Sequence, residues 1–596
     1  MSQQYRKILK NRLQNEIGAR VKDWGGKVPV GLVYPNVYYL GMSGLGYQTL
    51  YGLLNADPGV VCERVFLPDT EFGVSRSTVL SVESQRPLGD FPLIAASVTY
   101  ELDYINLIAL LRGAGISVLR DERTEGDPIV LAGGPAPTLN PEPLSVICDA
   151  VAIGEAEPMM PALREWIKGL PDMSRADALQ ALSHIPGIYV PSVHDRQGQR
   201  SGGTEEPSGW LVAPRVQRQW ARDLDAFSTR SEVLTHETEF GDAYMIEVAR
   251  GCGRQCRFCV AGFAFLPERE RSLDHLLALA REGLRHRRKI ALISAMVSDY
   301  SHIDQLALEL RAMGASFSCA SLRADSLSET LVKCLADGGA RSLTVAPEAG
   351  SQRLRDVINK GISEDDVLRA VTLATRHGMQ AIKLYYMIGL PTETEADVAA
   401  IVDLTERTMQ AAERVCHRRI QVVCSVTPFV PKPQTPFQWA GMERVEVLEA
   451  RAKYLRSQLG RRGISFRVES PRLCRLETIL SRGGREVGLV LAQLEEPTAG
   501  ALEKALERSE LDLEALTGEL EWMRQWPWHK VDAGLRERYF QREWVRARRE
   551  QTTRECPPAG VVCHRCGVCE PGYVRLSGGL RLPVAMQAMQ AVRSNV

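Results

Sequence analysis

Apolar positions recur along this chain in two alternating periods. Short continuous apolar runs at 28–34, 60–66, 93–98, 129–132 and 150–153 read as buried strands. Between them, 45–54, 104–111 and a stretch from about 158 have helical apolar spacing. This alternation predicts a Rossmann-like open α/β sheet, mostly parallel, over residues 1–160. A charged amphipathic helix over 4–22 precedes it. A second series of strand-like runs lies at 244–249, 289–294, 316–320, 342–346, 382–388 and 420–426. Helical stretches at 276–284, 303–313, 327–335 and 398–409 alternate with these runs. Six βα units over 236–465 predict a partial (β/α)6 barrel, short of the eight that close one. Residues 161–235 read as a connector. Within it 186–209, rich in Gly, Pro, Ser and charge, reads as a loop or an exposed hairpin, and Trp210–Pro214 leads into the core. Residues 466–596 read as a helical, cysteine-rich region, with helices at 473–480, 487–494 and 502–516, an aromatic turn Trp526-Pro-Trp-His529, and a tail from Gly578.

Length and charge narrow the function classes. At ~150 residues per domain, 596 residues imply about four domains. Basic and acidic residues balance at 73 each, so no global field steers the protein toward nucleic acid or acidic lipid. No run of about 18 apolar residues is present and the start lacks a signal-peptide apolar region, which predicts a cytoplasmic protein with no membrane partner. Of 14 cysteines, seven fall in two clusters and seven are isolated, a distribution of metal binding plus core thiols rather than a disulfide framework.

The first cluster follows the first strand of the second series: Arg250-Gly-Cys252-Gly-Arg-Gln-Cys256-Arg-Phe258-Cys259. C-x3-C-x2-C does not place three side chains on one helix face; it suits a loop wrapped around a group. Thiolates are soft ligands for iron–sulfur clusters and zinc. A cubane cluster takes four cysteines, so three would leave one iron open. Gly251, Gly253 and Gly262 allow tight turns, and Arg254 and Arg257 are placed to favour thiolate.

With Phe258 as the aromatic, this loop resembles the C-x3-C-x-aromatic-C signature of the radical S-adenosylmethionine (SAM) superfamily. The resemblance implies that Cys252, Cys256 and Cys259 hold a [4Fe-4S] cluster. It further implies that the open iron chelates SAM, and that one electron, from a donor such as flavodoxin or ferredoxin, cleaves SAM to a 5′-deoxyadenosyl radical. It also directs attention to the later strand ends. Ser298, in Ser294-Ala-Met-Val-Ser298-Asp299, stands where relatives have Gly-Gly-Glu, so no glutamate carries over. Arg323 reads as a SAM-carboxylate contact or as the ion-pair partner of Asp325. Glu348 reads as a contact to the SAM ribose or amino group, or as a cap of a helix starting near Ser351. Gly389-Leu-Pro-Thr-Glu-Thr394 resembles a stretch of methylthiotransferase-like cores, and Thr427–Pro436 falls where relatives read adenine. No residue is assigned a catalytic role.

The N-terminal region resembles the cobalamin-binding domains that precede many radical SAM cores. It does so at Leu131-Ala-Gly133-Gly134-Pro135, where Gly133 and Gly134 would admit a bulky cofactor, and at Ile153-Gly154-Glu155-Ala-Glu157. The Asp-x-His-x-x-Gly element that supplies an axial histidine is absent; the corresponding stretch is Asn36-Val-Tyr-Tyr-Leu-Gly41. Cobalamin binding and a cofactor-free scaffold both remain open. At the other end, Cys556, Cys563, Cys566 and Cys569 form a second thiolate set suited to zinc or to an auxiliary iron–sulfur cluster, with His564 beside it. The Arg-rich stretch 536–549, carrying Tyr539, Phe540 and Trp544, reads as a charged helix with a buried aromatic face or as an RNA or protein contact. The resemblances together imply a radical SAM enzyme. Its expected reaction is cobalamin-dependent methyl transfer to an unactivated carbon; the alternatives are RNA or ribosomal-protein modification of methylthiotransferase type, and cobalamin or redox sensing without catalysis.

Overall fold

The computed structural model describes residues 2–200, 215–319, 322–522, 524–557, 563, 565–569, 574–576 and 579–581. The Trp210–Pro214 lead, part of the 186–209 segment, His564 and most of the C-terminal tail lie outside them. The first series of runs forms six strands: β1 Val28–Val37, β2 Val60–Leu67, β3 Leu93–Ser97, β4 Ile129–Gly133, β5 Ala150–Ala152 and β6 Ile188–Tyr189. Their order is β2-β1-β3-β4-β5-β6, parallel except for β6. The sheet therefore continues past residue 160. The segment read as a loop or an exposed hairpin over 186–209 begins instead with β6 and the helix Pro191–Arg200. The initial helix ends at Asn15 rather than near 22.

Period-two alternation decides which helices cover each sheet face. Val30, Leu32, Leu93 and Leu131 face α1 (Leu45–Asn55) and α2 (Ala156–Gly169), whose Leu54, Met159 and Leu163 share their core. Val33, Ile94, Ala96 and Val130 face the other way, onto the helix Asp103–Gly113. That second core also contains Leu476, Ile479 and Leu480 of α3 (Pro471–Arg482), and Val487 and Leu491 beyond it. Helices after residue 466 thus complete the N-terminal domain, and Asn140 ties them in by donating to the carbonyls of Ser481 and Gly483.

The second series gives β7 Ala243–Glu247, β8 Lys289–Ile293, β9 Ser316–Cys319, β10 Ser342–Glu348, β11 Ala381–Ile388 and β12 Gln421–Pro428. All six expected strands are present. A short seventh, β13 Ser465–Val468, pairs with β12. Its alternating exposed and half-buried residues carry no continuous apolar signal. The strands form two parallel groups, β9-β8-β7 and β10-β11-β12-β13, with one core of Ile, Leu and Val between them and their helices. Several of these helices start at side-chain caps: Ser272, Ser328, Ser351 and Ser363 each accept from a backbone N–H three residues on.

One ionic knot joins three parts of the chain. Lys432, after β12, lies 2.7 Å from both Glu101, after β3, and Glu477 of α3. Tyr100 donates to Glu477 and Ser481 to Glu101. A cation serving two buried carboxylates leaves repulsion behind when removed. Lys432→Met is expected to destabilise by roughly 3–5 kcal/mol and Lys432→Arg by much less, compared by urea midpoints.

Candidate active site

Both parallel groups of the core present their carboxyl ends to the cysteine loop, which leaves β7 at Glu247. Residues Ala249–Arg250 pair antiparallel with Arg269–Glu270, fixing the chain just before Cys252. Gly251 has φ +77°, and a Cβ there would approach the Phe265 carbonyl to 2.6 Å, so the turn requires glycine. Gln255 also takes a positive φ, 59°. Cys252 and Cys256 are buried and Cys259 is half-buried. Burial pushes the Cys252 thiol well up, helped by neighbouring Cys256. Burial and Cys256 likewise push Cys259 to about 11, against the N–H groups of Ala261 and Gly262.

The cations that face the loop are not those expected. Arg254 is taken up by Asp299 at 2.8 Å, Asp325 at 3.1 Å and Glu555 at 2.8 Å. Arg257 is fully buried and directed away, donating to the carbonyls of Val357 and Gln551 and pairing with Glu543 at 3.1 Å. Arg323 and Lys360 stand nearer: burial works against their charge, but Asp325 and Glu348 respectively, with Cys256 as a further contributor, raise both. Lys360 was not singled out by sequence; it follows Asn359, whose side chain donates to the Gln255 carbonyl at 3.1 Å. Only the fold brings residue 360 to residue 256.

The other predicted residues fall around this centre with definite partners. Arg323 forms the ion pair with Asp325 at 2.8 Å and donates to the Lys360 carbonyl at 2.7 Å. Ser298 is buried and accepts from the Arg323 N–H at 2.9 Å and from Ser326. Glu348 ends β10 with φ +67° and pairs with Lys360 at 3.1 Å. It does not cap the following helix; Ser351 does. Phe258 packs at the edge of an aromatic core with Phe263, Trp439 and Tyr539. Gly389 has φ +80°, and its N–H donates 2.6 Å to Glu393, which pairs with Arg451 at 2.8 Å.

The C-terminal chain folds back onto the loop. Helix α4 (Glu537–Arg548) buries Tyr539, Phe540 and Trp544 in that aromatic core, so these rings offer no stacking surface to RNA. Cys556 N–H donates to the Gly253 carbonyl at 2.8 Å, and the Gln255 amide reaches Cys556 Sγ at 3.2 Å. Burial and neighbouring Cys563 raise the Cys566 thiol. Among the described residues no three His, Cys, Asp or Glu side chains are gathered to hold a single metal ion.

A cavity of about 520 Å³ extends from the N-terminal sheet to this loop. One end is a slot between the sheet face and α1 and α2, kept open by Ala95, Gly133, Ala152 and Ala156. The other is walled by Arg250, Gly251 and the β8 end, Ile293–Ala295. Gly133 and Gly134 both line the cavity, and Gly134 is also demanded by the backbone: φ is +114° and a Cβ would meet the Val98 carbonyl at 2.4 Å.

Residues 246–405 match the family model of the radical SAM superfamily, and residues 46–191 match that of the N-terminal region of radical SAM proteins. The chain is a radical SAM protein, with its cysteine loop inside the matched core. An uncharacterized protein of Methanocaldococcus jannaschii, MJ0966, is 29% identical over 478 residues, 79% of this chain and 92% of that protein. An uncharacterized methyltransferase of Pyrococcus horikoshii, PH0819, is 25% identical, over 47% of this chain and 58% of that one. A tRNA-2-methylthio-N(6)-dimethylallyladenosine synthase of Prosthecochloris aestuarii is 24% identical, over 40% of this chain and 58% of that one. Among solved structures, the radical SAM methyltransferase TsrM of Kitasatospora setae, with cobalamin and a [4Fe-4S] cluster bound, covers 71% of this chain and 78% of its own at 16% identity and TM-score 0.45. The cobalamin-dependent radical SAM enzyme OxsB, with aqua-cobalamin and SAM bound, covers 82% and 72% at 13% identity and TM-score 0.47. Among the described residues no helix is long and apolar enough to cross a membrane.

Glu393 supplies a test of how Gly389 is held. Burial raises its carboxyl to about 7, overriding the Gly389 N–H and Arg451. The folded state therefore holds this proton more tightly than the unfolded chain, and stability falls as pH rises from the ordinary glutamate range through about 7. Glu393→Gln is expected to flatten that dependence, read as unfolding midpoints between pH 5 and pH 8.

Proposed function

We propose that this protein is a radical SAM enzyme that binds cobalamin between its N-terminal sheet and its core and transfers a methyl group to an unactivated carbon. The observation that carries the reading is the cavity, which runs without a break from the sheet slot to Gly251 of the cysteine loop. The sheet order places a topological switch between β1 and β3, and ligands of such sheets bind beyond the carboxyl ends of strands there. The apolar slot suits the flat base of a nucleotide tail. Among the described residues no histidine lines the cavity.

Cys252, Cys256 and Cys259 would hold a [4Fe-4S] cluster, which when bound supplies the electron that splits SAM. Arg323 and Lys360 offset the negative charge of the thiolates, and burial of the loop keeps water from the reacting groups. Glu348, paired with Lys360, and the Gly389 backbone are the proposed SAM contacts, with Ser298 holding Arg323 in place. Cys556, Cys563, Cys566 and Cys569 are proposed as ligands of zinc or of an auxiliary cluster, and an external one-electron donor is required.

The test is anaerobic reconstitution with iron and sulfide, followed by reductant, SAM and hydroxocobalamin. The expected products are 5′-deoxyadenosine, lost in the Cys252/Cys256/Cys259→Ala protein, and S-adenosylhomocysteine, lost when cobalamin is omitted. Ala152→Phe fills the slot and is expected to weaken hydroxocobalamin retention roughly tenfold or more with iron content unchanged. Retention equal to wild type would overturn the slot as the cobalamin site.

A further inference from the structure

The wall shared by the cavity and the cysteine loop is a buried ionic network drawn from both domains. Arg250, two residues before Cys252, pairs with Glu155 at 2.8 Å, Glu157 at 2.8 Å and Glu247 at 2.9 Å. Glu155 also binds Arg269 at 2.6 Å and accepts from the Ala221 N–H at 2.8 Å. Glu247 binds Arg271 at 2.7 Å. Glu155 and Glu157 belong to the N-terminal domain, directly after β5; Arg250, Arg269, Glu247 and Arg271 belong to the core. Arg250, Glu155, Glu157 and Glu247 all line the cavity.

The loop that presents Glu155 is built with little freedom. Gly154 has φ +112°, a Cβ on it would lie 2.1 Å from the Gln219 carbonyl, and its N–H donates to Thr138 at 3.0 Å. On the core side, Arg250 lies in the strand pair that fixes the chain before Cys252. A displacement of Glu155 therefore reaches the first cysteine through one guanidinium. Filling the cavity would expel water from that guanidinium and its carboxylates, and ion pairs strengthen as the surroundings lose water.

We infer that Glu155 and Arg250 are positioning residues that couple occupancy of the N-terminal cavity to the geometry of the cysteine loop, and so to SAM binding. This rests on the proposed cofactor sites. By linkage, a cavity ligand that tightens SAM binding is itself tightened by SAM to the same degree.

The experiment measures the SAM Kd of reconstituted, reduced protein from the SAM-induced change in the cluster's electron paramagnetic resonance signal, with and without hydroxocobalamin. In the wild type, hydroxocobalamin is expected to tighten SAM by about tenfold. In Glu155→Gln and in Arg250→Lys, which keeps the charge but loses the fork, iron content is expected to match wild type while SAM binds more weakly and the tightening disappears. Arg250→Lys keeps the test usable should Glu155→Gln fold poorly. A tightening of equal size in wild type and both variants would overturn the coupling, since a purely structural role would weaken binding without changing the ratio. If hydroxocobalamin does not bind wild type, the cobalamin reading fails alone; the positioning role is then decided by the SAM Kd and resonance signal without it, and values identical to wild type in both variants would overturn it.

Discussion

A half-buried guanidinium at a cavity wall must be neutralised where it lies, and Arg250 shows what that requirement does to this molecule. Its three carboxylate partners come from two domains, and it adjoins the loop that holds the site's cysteines. Removing any one carboxylate would leave uncompensated charge in a site that only the water of the cavity can reach. Burial favours protonated Glu155, yet Arg250 and Arg269 hold its carboxyl down at about 2.

The same economy of charge recurs at each junction. Arg254 draws Asp299 and Asp325, from the ends of successive core strands, and Glu555 from the C-terminal chain around the outside of the cysteine loop. Lys432 draws the N-terminal sheet, the core and α3 together. Arg257 joins the loop to α4 through Glu543. Apolar packing builds each sheet with its helices, and ionic contacts set how those bodies meet. The cavity is a product of that arrangement: its walls belong to different domains, and its volume exists because small residues face the slot.

The C-terminal region is a case where linear order and structural role diverge. Helices after residue 466 cover the N-terminal sheet of residues 28–189, and the chain beyond α4 returns to Gly253 and Gln255 of the cysteine loop. Its aromatic, Arg-rich helix turns its rings inward because Phe263, Phe437 and Trp439 supply an apolar surface they can cover.

The sequence by itself determined both strand series, their alternation with helices and the loop with Cys252, Cys256 and Cys259, because period and ligand spacing are local properties that neighbouring residues express without tertiary context. It also marked Gly133, Gly134 and the Ile153–Glu157 stretch, since a backbone that must turn at a strand end writes glycine there. Only the tertiary structure decided what these residues meet. Arg254 and Arg257 lie beside the cysteines in sequence yet serve Asp299, Asp325 and Glu543, while Asn359, distant in sequence, binds the Gln255 carbonyl of the loop. The seventh core strand, the cover that α3 gives the N-terminal sheet and the clamp of Glu155 on Arg250 were illegible for the same reason. Each is a contact between segments far apart in the chain, and no local pattern of hydrophobic and polar residues encodes the partner.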